Sequence, residues 1–220
     1  MNTTDLEMCQ IIRKTGQELF HEADTVSTVS LIDFWQWTYS DLLGNTNRGR
    51  LAEFIVGRAL GLTLTDVRRE WDEVDFITPT GLKIEVKSAA YLQSWYQKKL
   101  SDIYFVVCPR RGWNAATNEI DLTARRHADV YVFAVLAHKD KRSVDPLNLS
   151  QWKFYVVPTA VLDSRERSQH SITLRSLSSL YPNPFKFDQL RNAIEEAGVP
   201  RKPGALAQAE TELACGKATD

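Results

Sequence analysis

Between Trp71 and Lys87 two short runs rich in β-branched and apolar residues flank a turn, and in the second of them apolar and polar positions alternate. In the second half of this stretch Leu82, Ile84 and Val86 face one way and Lys83, Glu85 and Lys87 the other, because successive strand side chains point to opposite sides. Pro79-Thr80-Gly81 is turn punctuation, so the stretch predicts a β-hairpin. A helical period replaces the alternation just upstream. Leu51, Ile55 and Ala59, with Ala52, Val56 and Leu60 on the adjacent stripe, predict a helix from about Arg48 to Leu60, capped by Thr46 or Asn47 and ended by Gly61. Near the N-terminus the spacing of Leu6, Cys9, Ile12, Gly16, Leu19 and Phe20 predicts a helix over Asp5–His21. A dense aromatic helix is expected from Leu31 to about Leu43, with Trp35 and Trp37 assigned to a core face. The strongest strand is Val130–Leu136, whose near-continuous apolar character suits a central strand covered on both faces. Trp152–Val157 is another strand, and Asp66–Glu70, Ile103–Cys108 and Ile172–Leu174 are shorter candidates. Arg110 to Asp121 is a polar excursion with the character of a hairpin or loop, Thr159 can cap a short helix Ala160–Asp163, and Phe185–Ala197 has the pattern of a last helix.

This order of elements predicts an α/β domain over residues 1–198, a central mixed β-sheet flanked by helices. Residues 1–44 form an N-terminal helical extension, and the Pro-, Gly- and Ala-containing residues 199–220 a loosely held tail. With 220 residues, 43% hydrophobic, the chain can bury a full core. A formal net charge of −1 gives no global pull toward nucleic acid, so any such contact must come from a local basic face. Cys9, Cys108 and Cys215 are too few and too scattered for a disulfide framework or a zinc site, and fit free thiols in a cytoplasmic protein. No segment has the character of a signal peptide or a membrane span.

The hairpin carries the chemistry. Pairing about Thr80 sets Asp75 opposite or diagonal to Glu85, and cross-strand neighbours on one face lie about 5 Å apart. Two carboxylates at that distance repel and raise each other's pKa unless a cation lies between them. Mg²⁺ takes one or two carboxylates and keeps several waters, which suits such a pair. Lys87 shares the face of Glu85, where its ammonium can reach a metal-bound water or a phosphate. Asp72 competes for the strand acid but has the opposite parity to Asp75 and sits at the strand entrance.

Asp75 followed by Glu85-Val86-Lys87, with the helix Asn47–Leu60 upstream, resembles the signature of the PD-(D/E)XK nuclease superfamily. The chain departs from the pattern in having Val74 where the motif has proline. The resemblance implies a restriction-endonuclease-like core and a metal-dependent DNA nuclease, most simply an endonuclease, of a restriction, defence or repair type. It implies Mg²⁺, replaceable by Mn²⁺, on Asp75 and Glu85 with the Val86 carbonyl. It also implies a further acid from the helix, Glu53, as a metal ligand or water-orienting group, with a solvated Glu paired to a neighbouring Arg as an equal reading, and an auxiliary glutamine, Gln93. Basic candidates for the DNA backbone are Arg48, Arg50, Lys98, Lys99, Arg110, Arg111 and Arg126; solvated surface charge is an equal reading for the helix arginines. Two other functions stay open: an inactive DNA-binding module of the same fold, and a partner-binding protein using the Trp35/Trp37 and Trp95/Tyr96 clusters. A homodimer is compatible with the nuclease reading, though no interface signature is present.

Overall fold

The computed structural model describes residues 9–62, 67–70, 72–115, 117–166 and 169–199. Its regular structure starts with an antiparallel hairpin, β1 (Leu19–Glu22) and β2 (Thr25–Ser30), followed by α1 (Leu31–Tyr39) and α2 (Asn45–Ala59). The expected helix over Asp5–His21 is therefore corrected, although residues 5–8 lie outside the described part. Gly16 sits at φ +93°, which a right-handed helix does not allow. Four of the six residues in Thr25-Val26-Ser27-Thr28-Val29-Ser30 are β-branched, and a local hairpin takes Leu19–Glu22 as its partner. The α1 aromatics are also corrected: no residue of that helix is buried, and Trp37 is 83% exposed. Trp35 packs instead over Gly16, where an added Cβ would lie 3.0 Å from the indole. α2 begins one turn before Arg48, and Gly44, not Thr46 or Asn47, occupies its N-cap. Asn47 instead donates its amide to the carbonyls of Thr38 and Asp41, at 3.1 Å each, fixing the α1–α2 turn.

The short β3 (Phe76–Ile77) and β4 (Lys83–Ala90) make the predicted hairpin, with Gly81 at φ +85° in the turn and Phe76 opposite Ile84. The expected edge strand ending at Glu70 is not formed by residues 67–70, while Asp66 lies outside the described part. β5 (Tyr104–Val106) and the two-residue pair β6 (Trp113–Asn114) and β7 (Glu119–Ile120) come next. β8 (Val130–Leu136) and β9 (Trp152–Pro158) complete a mixed central sheet in the order β3-β4-β8-β9. β4 and β8 run parallel, from Ile84 beside Val130 to Ala90 beside Leu136, and the two outer pairings are antiparallel. Then come α3 (Thr159–Asp163), β10 (Ser171–Thr173), α4 (Leu174–Leu180) and α5 (Leu190–Gly198). Thr159 does not cap α3. Its hydroxyl donates to the Ala128 carbonyl, tying β9 to the entrance of β8.

Strand parity divides the interior. Ile84, Val86, Val132, Ala134, Phe154 and Val156 face α2 and α5 in one core. Tyr131, Phe133, Val135, Tyr155 and Val157 face β5, α3, β10 and α4 in the other. β8 is buried along its whole length because helices or strands cover both faces. On the second face β4 presents Glu85 and Lys87 before Ala89, two charged residues in an otherwise apolar layer. No helix among the described residues is long and apolar enough to cross a membrane.

Candidate active site

The hairpin aims its acids at each other. The Asp75 N–H donates to the Ile84 carbonyl at 3.1 Å, continuing the β3–β4 register and setting Asp75 across from Glu85. One Asp75 oxygen, Oδ2, accepts the Val86 N–H at 2.7 Å. Because N–H and C=O of one strand residue point to the same side, the Val86 carbonyl opens toward Asp75 as well. Burial pushes the Asp75 carboxyl up to about 7, with Glu85 and then Glu53 adding to the rise; the Val86 N–H and Lys87 oppose it. Glu85 is 5% exposed, and its Oε1 accepts from the Lys87 ammonium and, at 2.8 Å, from the Arg110 guanidinium. Next to it on β8, Tyr131 has its phenol pushed up to about 12, first by burial and then by Glu85.

The remaining predicted residues divide into those near this pair and those held elsewhere. Glu53 stands close enough to raise Asp75, but Arg68 grips both its oxygens, Oε1 at 3.0 Å from a guanidinium nitrogen. Asp72 is exposed. Gln93 is buried and lies against Arg48, its Oε1 3.4 Å from that guanidinium. Arg48 is only 3% exposed. Burial lowers its pKa, offset by Asp41. Arg50 lies over the Tyr39 ring and pairs with Glu70 at 3.5 Å. Lys98, Lys99, Arg110 and Arg111 are exposed, Lys99 pairing with Asp102 at 2.9 Å. Arg126 is withdrawn from solvent: it pairs with Asp163 and donates to the Val107 carbonyl at 2.8 Å and twice to Gln169 at 2.9 Å. Those bonds hold the entrance of β8 to the β5–β10 layer and leave little of it for a phosphate. Trp95 and Tyr96 are 55% and 85% exposed.

A divalent ion is tested by the donor set itself. Among the described residues no three His, Cys, Asp or Glu side chains are gathered to hold a metal ion. Asp75 and Glu85 form a two-acid set with an adjacent strand carbonyl, and their repulsion is one cause of the raised Asp75 pKa. Mg²⁺ needs no more than one or two carboxylates besides water, so two acids and a carbonyl fit it.

A family model described as Bacteriophage T4 endonuclease IV matches residues 15–176, well over half of the chain. The chain belongs to the bacteriophage T4 endonuclease IV family. It is accordingly a nuclease. The matched segment runs from before β1 into α4 and contains Glu53, Asp75, Glu85 and Lys87. No curated protein and no solved structure matches the chain.

Two neighbours of this acidic pair have no signature in local spacing. Arg68 neutralises Glu53 from a connecting segment, so no helical or strand period pairs them. His127, just before β8, faces Arg110 and Glu73. Its Nε2 lies 2.9 Å from the Arg110 carbonyl, which can only accept, so Nε2 carries the proton. Its buried Nδ1 faces the Glu73 carboxylate at 3.5 Å. Gly112 lets these groups meet, since a Cβ there would lie 2.4 Å from Glu73 Oε1 and 2.9 Å from His127 Cε1. Thus the segment leading to Asp75 and the segment carrying Arg110 meet at one imidazole. A glycine inside the Arg110–Asp121 excursion is the sole local hint of it.

Proposed function

We propose that this chain is a metal-dependent DNA endonuclease of the PD-(D/E)XK type. The observation that carries the reading is the buried Asp75 carboxyl facing Glu85, with Lys87 on the same strand face. The β3-β4-β8-β9 sheet, with a helix packed behind the acid-bearing strands, suits a restriction-endonuclease-like core. Asp75, Glu85 and the Val86 carbonyl would hold Mg²⁺, with Mn²⁺ as a substitute. The bound ion supplies charge neutralisation at the phosphate and a lowered pKa for an attacking water.

The chain's own groups do the rest. Lys87 leaves Glu85 far enough to donate to a non-bridging phosphate oxygen or to orient the water, and so stabilises negative charge that grows during attack. Arg110, 60% exposed at its side chain and anchored at Glu85, swings onto the phosphate backbone when that carboxylate is engaged elsewhere. Asp75 would release its proton to solvent water on taking up an ion beside Glu85. The Val86 N–H holds Asp75 Oδ2 in place, so one carboxylate oxygen remains for the ion. Glu53 acts on the pair through its field, its oxygens being engaged by Arg68.

The test is incubation of supercoiled and linear plasmid with Mg²⁺ or Mn²⁺. Wild-type protein nicks or linearises the DNA, chelation stops it, and Lys87→Ala lowers the rate by at least about a hundredfold while circular dichroism shows the fold retained. Lys87→Ala cutting at the wild-type rate contradicts the assignment.

A further inference from the structure

The strongest unexplained feature is a buried cation beside the candidate site. Arg48 is 3% exposed, yet its hydrogen bonds run to neutral groups. It donates to the Leu43 carbonyl and to Asn45 Oδ1, both at 2.7 Å, to Ser88 Oγ at 3.3 Å and to Gln93 Oε1 at 3.4 Å. Among the described residues no carboxylate lies within ion-pair distance of it. Asp41, the acid that acts on it through space, is committed to the backbone N–H groups of Leu43 and Gly44 at 3.1 and 3.0 Å. Arg126 offers the contrast: it too is buried, and Asp163 neutralises it. A charge removed from water without an opposite partner costs several kcal/mol, so its retention needs a reason beyond packing.

Arg48 forms part of the wall of a cleft of about 370 Å³ between the start of α2, the end of β4 and β5. Lys87 opens onto the same cleft, as do Ser88, Gln93, Ser101 and Tyr104. α2 starts at Asn45 on that wall with no acid in its first turn; Asp41 accepts the N–H groups of Leu43 and Gly44 just before it, and Lys87 is shared with Glu85. The acid on the rim, Asp102, is already paired with Lys99. The cleft therefore holds one cation without an ion-pair partner, Arg48, beside hydroxyl and amide groups, with apolar walls from Ala89, Ala90 and Phe105. A phosphate joined to a sugar satisfies both parts of that lining.

We infer that this cleft binds the phosphodiester next to the scissile one on the cut strand, with Arg48 as its buried anchor and Lys87 bridging the two phosphates. The inference rests on the nuclease reading for the direction of the strand, but the pocket itself can be tested without cleavage. In metal-free buffer the Arg48 Nε–H resonance, assigned by its loss in Arg48→Met, is followed while thymidylyl-thymidine is added. This dinucleotide has one phosphodiester; its uncharged methylphosphonate analogue and thymidine are the controls. A saturable shift with the dinucleotide and none with the analogue is expected. Arg48→Lys, which keeps the charge, guards against misfolding and should raise the KM for plasmid cleavage about tenfold or more with kcat within about threefold. No shift with the dinucleotide, or an equal shift with the uncharged analogue, overturns the inference. If wild type fails to cut DNA while Arg48 still responds, the nuclease reading fails and the phosphate pocket stands. If wild type cuts DNA while Arg48 stays silent, the pocket fails and the nuclease reading stands.

Discussion

At the scale of single residues the account turns on Asp75. Its carboxyl ionises at about 7 in the fold against 3.8 for the free side chain, because burial, Glu85 and Glu53 all disfavour its charge. The folded protein then holds this proton more tightly than the unfolded chain does. Stability from this group is fully present below about pH 4, falls as pH rises, and is lost above about pH 7. Asp75→Asn, which keeps an oxygen for the Val86 N–H, should melt at a higher temperature than wild type at pH 8. The gap should close as the pH approaches 4. An equal gap at both pH values, measured by calorimetric melting, would show that the acid is not strained by its neighbours. The Asp75–Glu85 pairing is legible in the sequence alone, since alternation and one turn suffice to place two residues of a hairpin. The neutralisation of Glu53 by Arg68 and of Glu85 by Arg110 is not, because those arginines come from irregular segments with no period linking them to their acids.

At the scale of elements, long apolar strands announce themselves and short or marginal ones do not. Val130–Leu136 forms β8 because seven residues with almost no polar side chain can be satisfied only between two covered faces. Phe133, with no exposed surface, packs on Phe105 with ring centroids 4.8 Å apart. Phe133→Ala should cost about 3–5 kcal/mol in denaturant unfolding through lost burial and the cavity left behind. A loss under about 1 kcal/mol would mean that the second core collapses to fill the space. Residues 9–30 mislead a helical reading because their apolar spacing fits both a helix face and a twisted hairpin. The positive φ of Gly16 and the β-branched run after it decide for the hairpin. The aromatics of α1 suit a core that the tertiary arrangement does not supply: packing partners, not composition, determine burial.

At the scale of the molecule, one sheet separates two cores and leaves the acidic pair where the short β3 ends and β4 continues. That break leaves Lys87 partly exposed on a strand otherwise largely buried. The mixed sheet and its flanking helices follow from the order of strand and helix patterns. The cleft beside Lys87 does not, since it needs α2, β4 and β5 brought together from separate parts of the chain. The central claim is that Asp75 and Glu85 share one divalent ion. Titration calorimetry of Mg²⁺ into the protein at pH 7.5 tests it most directly. The account predicts one saturable site with proton release in wild type, and its loss in Glu85→Ala. The same heat in both proteins, or none in wild type, would contradict it.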